Sequence, residues 1–515
     1  MRLLDFCLAA LSAFFLILAF PKFNVEIVAW AALVPFFWSL RGKSPAQAAL
    51  LGFVAGFSFF TGLLPWIYIV LRQYGHLPGA ASVFLFLLLT AYLALYFSAF
   101  AFALRWAQAR MGIPATLLAP PLWVSLEYIR GFLFSGFPWE LLGYSQYLTL
   151  PLIQIADITG VYGVSFLIVL VNAVVYRFLE ASVDGKWKPV QKEVLAAGLL
   201  LAASAGYGYW RLAGMNPQSK EGTPVRISLI QGNIPQDVKW EPKFQEETVR
   251  SYVGLTLRTR HLFPNLVIWP ETATPFFFQD SHPHQSRILE LGQKMGTHLL
   301  FGSPAYSRKG RETHYYNSAF LISPEGKEAG RYDKIHLVPF GEYAPLSGLL
   351  GFTRDIIGAM GDFQPGEEVR NLAVPQGKFG VLICYEAIFP GLTRQFVDRG
   401  ARFLVNITND AWFGRTAAPY QHLSMAALRA VENRVPIARA ANTGISGFIH
   451  PSGQILQASG IFTSSILFGI LYLKKTGTFY AHFGDLFTYL CMGFTTILLI
   501  RVRFRREDRV ERSRE

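Results

Sequence analysis

The stretch Lys378–Phe379–Gly380–Val381–Leu382–Ile383–Cys384–Tyr385–Glu386 decides the reading of this chain. It is a short apolar strand that ends in a thiol and then a carboxylate. Two further reactive side chains stand at similar places upstream. Glu271 closes Leu266–Val267–Ile268–Trp269–Pro270–Glu271, and Lys334 follows Gly330–Arg331–Tyr332–Asp333. A thiol nucleophile needs a base and an electrophilic stabiliser brought to it from elsewhere in the fold. Strand ends are where a sheet can present such groups together. Taken singly, each has an ordinary structural reading: a small buried hydrophobe, a turn residue and a solvated lysine.

Outward from these strands the chain divides by composition. Of its 515 residues, 52% are hydrophobic, 15% aromatic and only 16% charged. The apolar residues are concentrated before about residue 212 and again in a run ending near Ile500. Residues 224–474 read instead as a mixed extramembrane domain. That pattern fits a membrane protein carrying one large extramembrane domain.

A bilayer core takes about 20 apolar residues as a helix. Candidate spans lie near 3–20, 24–40, 47–71, 82–107, 115–134, 157–178, 193–211 and 482–500. This gives seven expected spans over 1–211, an eighth at 482–500 and a basic tail over 501–515. With the N-terminus inside, one side would hold Arg2, Arg41, Lys43, Arg105, Arg110, Arg177, Lys186, Lys188, Lys192 and the arginine tail. The short loops of the other side would hold Lys22, Arg72 and Arg130. The positive-inside rule then puts both termini in the cytoplasm and Cys384 outside it. The net charge of +13 is explained the same way, since the Arg501–Arg506 run directly follows an apolar segment. It favours anionic headgroups and gives no reason to expect nucleic acid.

Glu127 and Arg130 are three residues apart and would share a helix face. Charges at membrane depth are candidates for function, with interfacial anchoring as the alternative. The aromatic loop Gly136–Gln146 would suit the headgroup layer. The three cysteines, Cys7, Cys384 and Cys491, are far apart in sequence. They suggest neither a disulfide framework nor a zinc site, and no metal is expected.

From Val225 the apolar period changes to that of strands. Runs at 225–233, 266–269, 298–302, 318–322, 379–383, 403–407 and 437–440 alternate with helix-compatible stretches at 245–258, 285–295 and 423–433. Alternation of this kind predicts an α/β domain. Its loops are unusually apolar, as at Phe276–Phe278, Leu346–Phe352 and Ala411–Gly414, which suggests contact with lipid.

The order Glu, Lys, Cys, within Trp269–Pro270–Glu271, Tyr332–Asp333–Lys334–Ile335–His336–Leu337–Val338–Pro339–Phe340–Gly341–Glu342 and Cys384–Tyr385–Glu386, resembles the nitrilase (carbon–nitrogen hydrolase) superfamily. Such a domain between membrane spans resembles the apolipoprotein N-acyltransferase family. Gly136–Phe137–Pro138–Trp139, Gln231–Gln236, Lys239–Trp240 and Asn406–Gly414 carry that resemblance over nearly the whole chain. Asn233 stands where many relatives carry Asp.

The resemblance implies a multi-pass α-helical membrane domain joined to a four-layer α-β-β-α nitrilase-type sandwich. It also implies Glu271 as base, Lys334 as oxyanion stabiliser and Cys384 as nucleophile. Glu342, Tyr385 and Glu386 would support them, and Trp240 and Trp412 would lie on arms near substrate. The implied reaction moves a fatty acyl chain from a phospholipid, typically phosphatidylethanolamine, to the N-terminal amine of a diacylglyceryl apolipoprotein. It proceeds through a Cys384 thioester, without a cofactor, in the bacterial inner membrane with the catalytic domain in the periplasm. The rival readings are a membrane-tethered amidohydrolase with water as acceptor and a non-catalytic lipoprotein-binding scaffold.

Overall fold

A computed structural model describes residues 1–185, 187–236, 239, 241–343, 363–475 and 477–511. The chain divides into two compact units, Met1–Tyr68 with Gly79–Gly214 and Phe483–Glu515, and Ile69–Pro78 with Met215–His482.

The first unit is helical. Among the described residues, four helices are long and apolar enough to cross a membrane: Pro45–Leu63, Gly79–Met111, Val161–Asp184 and Leu486–Phe504. Leu3–Ala19 and Ala115–Arg130 are shorter, and Trp187–Ala213 is a further long helix. The stretch 24–40, expected as one helix, is instead a 3-10 turn at Glu26–Val28 and two short helices, Ala29–Ala32 and Val34–Ser39. The physical reason lies in two side chains. Pro35 sits in the first turn of the second short helix and brings no amide proton. Asn172, fully buried, donates from Nδ2 to the Ala29 carbonyl at 2.8 Å and accepts from the Leu33 amide at 2.7 Å. A broken helix in an apolar setting is tolerated when a neighbour satisfies the freed backbone groups in this way.

Glu127 and Arg130 are both buried within this unit. Glu127 accepts from Trp123 Nε1 at 2.9 Å and from the Leu142 amide at 2.7 Å. The Arg130 guanidinium lies 5.3 Å over the Phe60 ring. The expected headgroup placement of the loop after them does not hold. Trp139 and Tyr144 are almost fully buried, and Trp139 packs on Trp66 at 4.7 Å. A carboxylate that caps Leu142 pulls this loop inward, and its rings fill core volume.

The second unit is the α/β domain. Its strands are β1 (Thr223–Gln231), β2 (Leu266–Ile268), β3 (His298–Lys309), β4 (Glu312–Ile322), β5 (Glu328–Asp333) and β6 (Leu372–Val374). They continue with β7 (Gly377–Ile383), β8 (Phe403–Thr408), β9 (Ile437–Ala441), β10 (Gly447–Ile449), β11 (Ile455–Ala458) and β12 (Ser465–Leu473). Among the described residues these make two six-stranded sheets, in the orders β12-β1-β2-β3-β4-β5 and β11-β10-β9-β8-β7-β6. Strand β1 packs on β9 and β4 on β7, so the sheets lie face to face. Helices Pro242–Leu257 and Pro283–Met295 cover the first sheet, and Pro390–Asp398 and Ala418–Asn433 the second. This is the four-layer α-β-β-α sandwich.

The seven strands and three helices read from periodicity are present, with β3 extending to Lys309. Strands β5, β6, β10 and β11, which are short or polar, lie outside the runs read from the sequence, as does the longer apolar β12. The central strands are buried on both faces, which explains their unbroken apolar runs. Between the first sheet and its helices, Trp269, Tyr252 and Phe301 form the centre of a packed cluster. Trp269 stacks on Tyr252 at 5.1 Å and donates from Nε1 to Thr256 Oγ1 at 2.8 Å. A side chain of this size, so buried, anchors the Trp-Pro-Glu turn that follows β2.

Gly302 of β3 makes room for that turn. A Cβ there would stand 2.4 Å from the Thr272 nitrogen and 2.6 Å from Glu271 Cα. Those are backbone atoms and cannot swing aside. Gly302→Ala should therefore destabilise the domain by about 1–3 kcal/mol. Thermal unfolding of the purified protein measures it, and an unchanged transition would contradict this close approach.

Candidate active site

Glu271, Lys334 and Cys384 all follow the C-terminal ends of strands: Glu271 just after β2, Lys334 after β5 and Cys384 after β7. The fold brings them together in one buried site. Lys334 Nζ lies 2.8 Å from Glu342 Oε2 and 3.7 Å from Glu271 Oε1. The lysine is 1% exposed and Glu271 6%, so Lys334 is not the solvated residue that its isolated sequence context would suggest. Burial alone would discharge the Lys334 ammonium, but Glu342, then Glu271 and Cys384, outweigh it. The lysine is held well above its ordinary range.

Each carboxylate is fixed by amides. Asn317 Nδ2 donates to Glu271 Oε1 at 2.8 Å and to Glu342 Oε1 at 2.7 Å. The Asn409 amide donates to Glu271 Oε2 at 2.9 Å, and the Val338 amide to Glu342 Oε2 at 2.8 Å. A base held from both oxygens keeps its orientation without help from solvent.

Cys384 sits at φ +53°, the left-handed region that non-glycine residues rarely occupy. Burial, and then the Glu271 carboxylate, push its thiol well above the ordinary range. Lys334 opposes them only in part. The resting group is therefore the neutral thiol rather than a preformed thiolate, and the sulfur could act as a nucleophile only once a base takes its proton.

Glu386 is fully buried, which excludes a surface-charge role. It accepts from the Ile383 amide at 2.7 Å, the Ile335 amide at 2.8 Å and the Tyr332 hydroxyl at 2.8 Å. Burial pushes it up to about 7 against those donors and Lys334. It thereby ties the strand end that carries Cys384 to the segment that carries Lys334. Tyr385 is buried and packs edge-on against Phe389 at 5.2 Å. Trp412 is half-buried and meets Tyr74 at 4.9 Å. Tyr74 donates from its hydroxyl to the Ala411 carbonyl at 2.8 Å. Trp240 lies outside the described residues, as does the apolar stretch 346–352. Lys239, beside it in sequence, is buried with Nζ 3.2 Å from Thr272 Oγ1. Burial lowers it to about 8, against the pull of Glu271.

Sequence reasoning missed Asn317 and gave no role to Asn409. Asn317 is mid-strand, and its isolated context carries no signal. Asn409 was within the quoted motif, but it acts through its backbone amide, which any residue supplies. Among the described residues no group of three or more His, Cys, Asp or Glu is placed to hold a metal ion.

Residues 12–174 match the family model described as the apolipoprotein N-acyltransferase N-terminal domain, and residues 226–479 match carbon-nitrogen hydrolase. A relative from Geobacter metallireducens, named apolipoprotein N-acyltransferase, is 46% identical over 98% of this chain and 96% of its own. The chain belongs to the apolipoprotein N-acyltransferase family. Relatives of the same name from Methylococcus capsulatus and Nitrosomonas europaea are 35% identical over 94% of each chain and 33% identical over 90% of each. The chain is a membrane protein, in keeping with its four long apolar helices.

Asn317→Leu should remove the clamp between the two carboxylates and leave Glu271 Oε1 buried without its hydrogen-bond donor, while Glu342 Oε1 keeps Lys334 Nζ at 2.9 Å. A loss of about 1–3 kcal/mol is expected, read as a lowered thermal transition. A transition at the parental temperature would show that the clamp contributes nothing.

Proposed function

We propose that this protein transfers a fatty acyl chain from a phospholipid to the N-terminal amine of the diacylglyceryl-cysteine of apolipoproteins, by a ping-pong route through a Cys384 thioester. One observation carries the reading: a buried thiol shares a site with an amide-clamped carboxylate and a buried ammonium, in a membrane protein of this family. Phosphatidylethanolamine is the donor that the family resemblance suggests.

The geometry supports a two-step chemistry. Glu271 takes the proton from the Cys384 thiol as sulfur attacks the donor's ester carbonyl. The carbonyl oxygen becomes an oxyanion, and Lys334, kept charged by Glu342, stabilises it. The carbon–oxygen bond then breaks. The proton on Glu271 passes to the leaving lysophospholipid oxygen, and the acyl group remains on Cys384 as a thioester. In the second half, the lipoprotein amine attacks the thioester carbonyl while Glu271 accepts an amine proton. The carbon–sulfur bond breaks, and the proton returns to Cys384. No cofactor enters either half. An amide as donor with water as acceptor would instead make the protein a membrane-tethered amidohydrolase, and an amide-hydrolysis assay beside a lipid acyl-transfer assay separates the two.

We further propose eight spans, at the positions read from the sequence, with the 224–474 domain in the periplasm and both termini in the cytoplasm of a bacterial inner-membrane protein. Its support is the distribution of basic residues. Reporter fusions at Lys186 and after Arg506 should read as cytoplasmic and one at Lys309 as periplasmic. A cytoplasmic signal at Lys309 would overturn this topology.

Incubation with phospholipid alone should add one acyl group by intact mass, releasable by neutral hydroxylamine and absent in Cys384→Ala. An adduct persisting in that variant would place the nucleophile elsewhere. Glu271→Gln and Lys334→Met should each slow adduct formation by about 10²–10³ while the protein stays folded. Near-parental rates in either variant would refute the role given to that residue.

A further inference from the structure

The nucleophile turn depends on a group outside the Glu–Lys–Cys set. Cys384 occupies a left-handed backbone conformation that disfavours any side chain, so surrounding contacts must hold it there. On its upstream side, Glu386 Oε2 accepts from the Ile383 amide at 2.7 Å. On its downstream side, the Cys384 carbonyl lies 3.0 Å from His422 Nε2. A carbonyl only accepts, so Nε2 carries the hydrogen and donates.

We propose that His422 is a positioning residue, whose Nε2–H fixes the Cys384 carbonyl and so the turn that aims the thiol at the acyl donor.

The Cys384 carbonyl fixes the hydrogen on Nε2. Nδ1 lies 3.0 Å from Arg439 Nη2, which can only donate, and 3.2 Å from Asp410 Oδ1, which can only accept; in the neutral ring with Nε2 protonated, Nδ1 presents its lone pair to the arginine. Burial, followed by the Arg439 charge, keeps the imidazole neutral against the pull of Asp410. Arg439 is itself immobilised. Nη2 donates to Asp410 Oδ2 at 2.8 Å, Nε to the Ile445 carbonyl at 3.1 Å, and Nη1 to Asn406 Oδ1. Asp410 also accepts from Thr408 Oγ1 at 2.8 Å. Arginine beside it, with burial opposing, holds Asp410 down at about 2, so the pair stays charged. His422, Asp410, Asn406 and Arg439 are all fully buried.

The placement joins the two halves of the chemistry. Adjacent residues at the end of β8 serve opposite partners. The Asn409 amide orients the base Glu271, while the Asp410 carboxylate fixes Arg439 and, through it, His422 and the nucleophile turn. The helix Ala418–Asn433 delivers His422 from one turn inside its N-terminus. A purely apolar core would fill this volume equally well, and four mutually bonded polar side chains gain nothing there except direction.

This inference rests on Cys384 being the nucleophile, and its test does not depend on the acyl donor. Glutamine reaches as far as Nε2 and keeps an N–H for the Cys384 carbonyl. Asparagine reaches only as far as Nδ1 and loses it. Both are polar and smaller than histidine, so both suit the site. The probes are iodoacetamide alkylation of Cys384, followed by peptide mass, and adduct formation with phosphatidylethanolamine vesicles, each beside a thermal melt. His422→Asn should slow both reactions about 10- to 100-fold at a melting temperature near that of His422→Gln. His422→Gln should recover most of the rate. Equal rates in the two variants, or losses that merely track melting temperature, would overturn the proposal. If the parental protein alkylates at Cys384 but takes no acyl group, the acyl-transfer reading fails, while the alkylation comparison still decides the role of His422.

Discussion

The site is organised around one buried ammonium. Lys334 has lost its water, which is costly for a charge of that size unless other charges and dipoles replace it. Two carboxylates do so, Glu342 at 2.8 Å and Glu271 at 3.7 Å. They would repel each other without the ammonium between them and the Asn317 amide bridging them. Glu342 contributes most to keeping the lysine charged, and Glu271 acts on both the lysine and the Cys384 thiol.

That arrangement explains why the thiol rests protonated. A carboxylate already beside Cys384, together with burial, opposes a second negative charge more strongly than Lys334 favours it. The carboxylate that, after burial, helps the thiol keep its proton is the same one to which the proposed mechanism gives that proton. Charge appears on sulfur only when the proton moves, which limits side reactions of an idle thiol.

Both units solve the problem of burying polar groups by pinning them with directed partners. In the helical unit Asn172 satisfies the Ala29 carbonyl and the Leu33 amide where the chain breaks. Glu127 turns inward on Trp123 and Leu142. In the α/β unit Glu386 gathers backbone amides from two separate segments. Each is a polar side chain at a place where hydropathy alone predicts an apolar or surface residue.

The sequence by itself determined the class of both units and singled out three side chains, Glu271, Lys334 and Cys384, that the fold gathers in one buried site. Long uncharged runs can only be buried in lipid or protein, and short apolar runs ending in Glu271 and Cys384 mark the ends of strands buried on both faces. The helix breaks at 24–40 were not legible, because the decisive partner, Asn172, comes from more than a hundred residues away. Nor was the burial of Trp139 and Tyr144, whose aromatic character suits an interface equally well. Asn317 and His422 became visible only once the two sheets faced each other and the helix Ala418–Asn433 crossed the nucleophile turn. Their roles are set by distance and donor direction between segments remote in sequence, and only the tertiary structure supplies those.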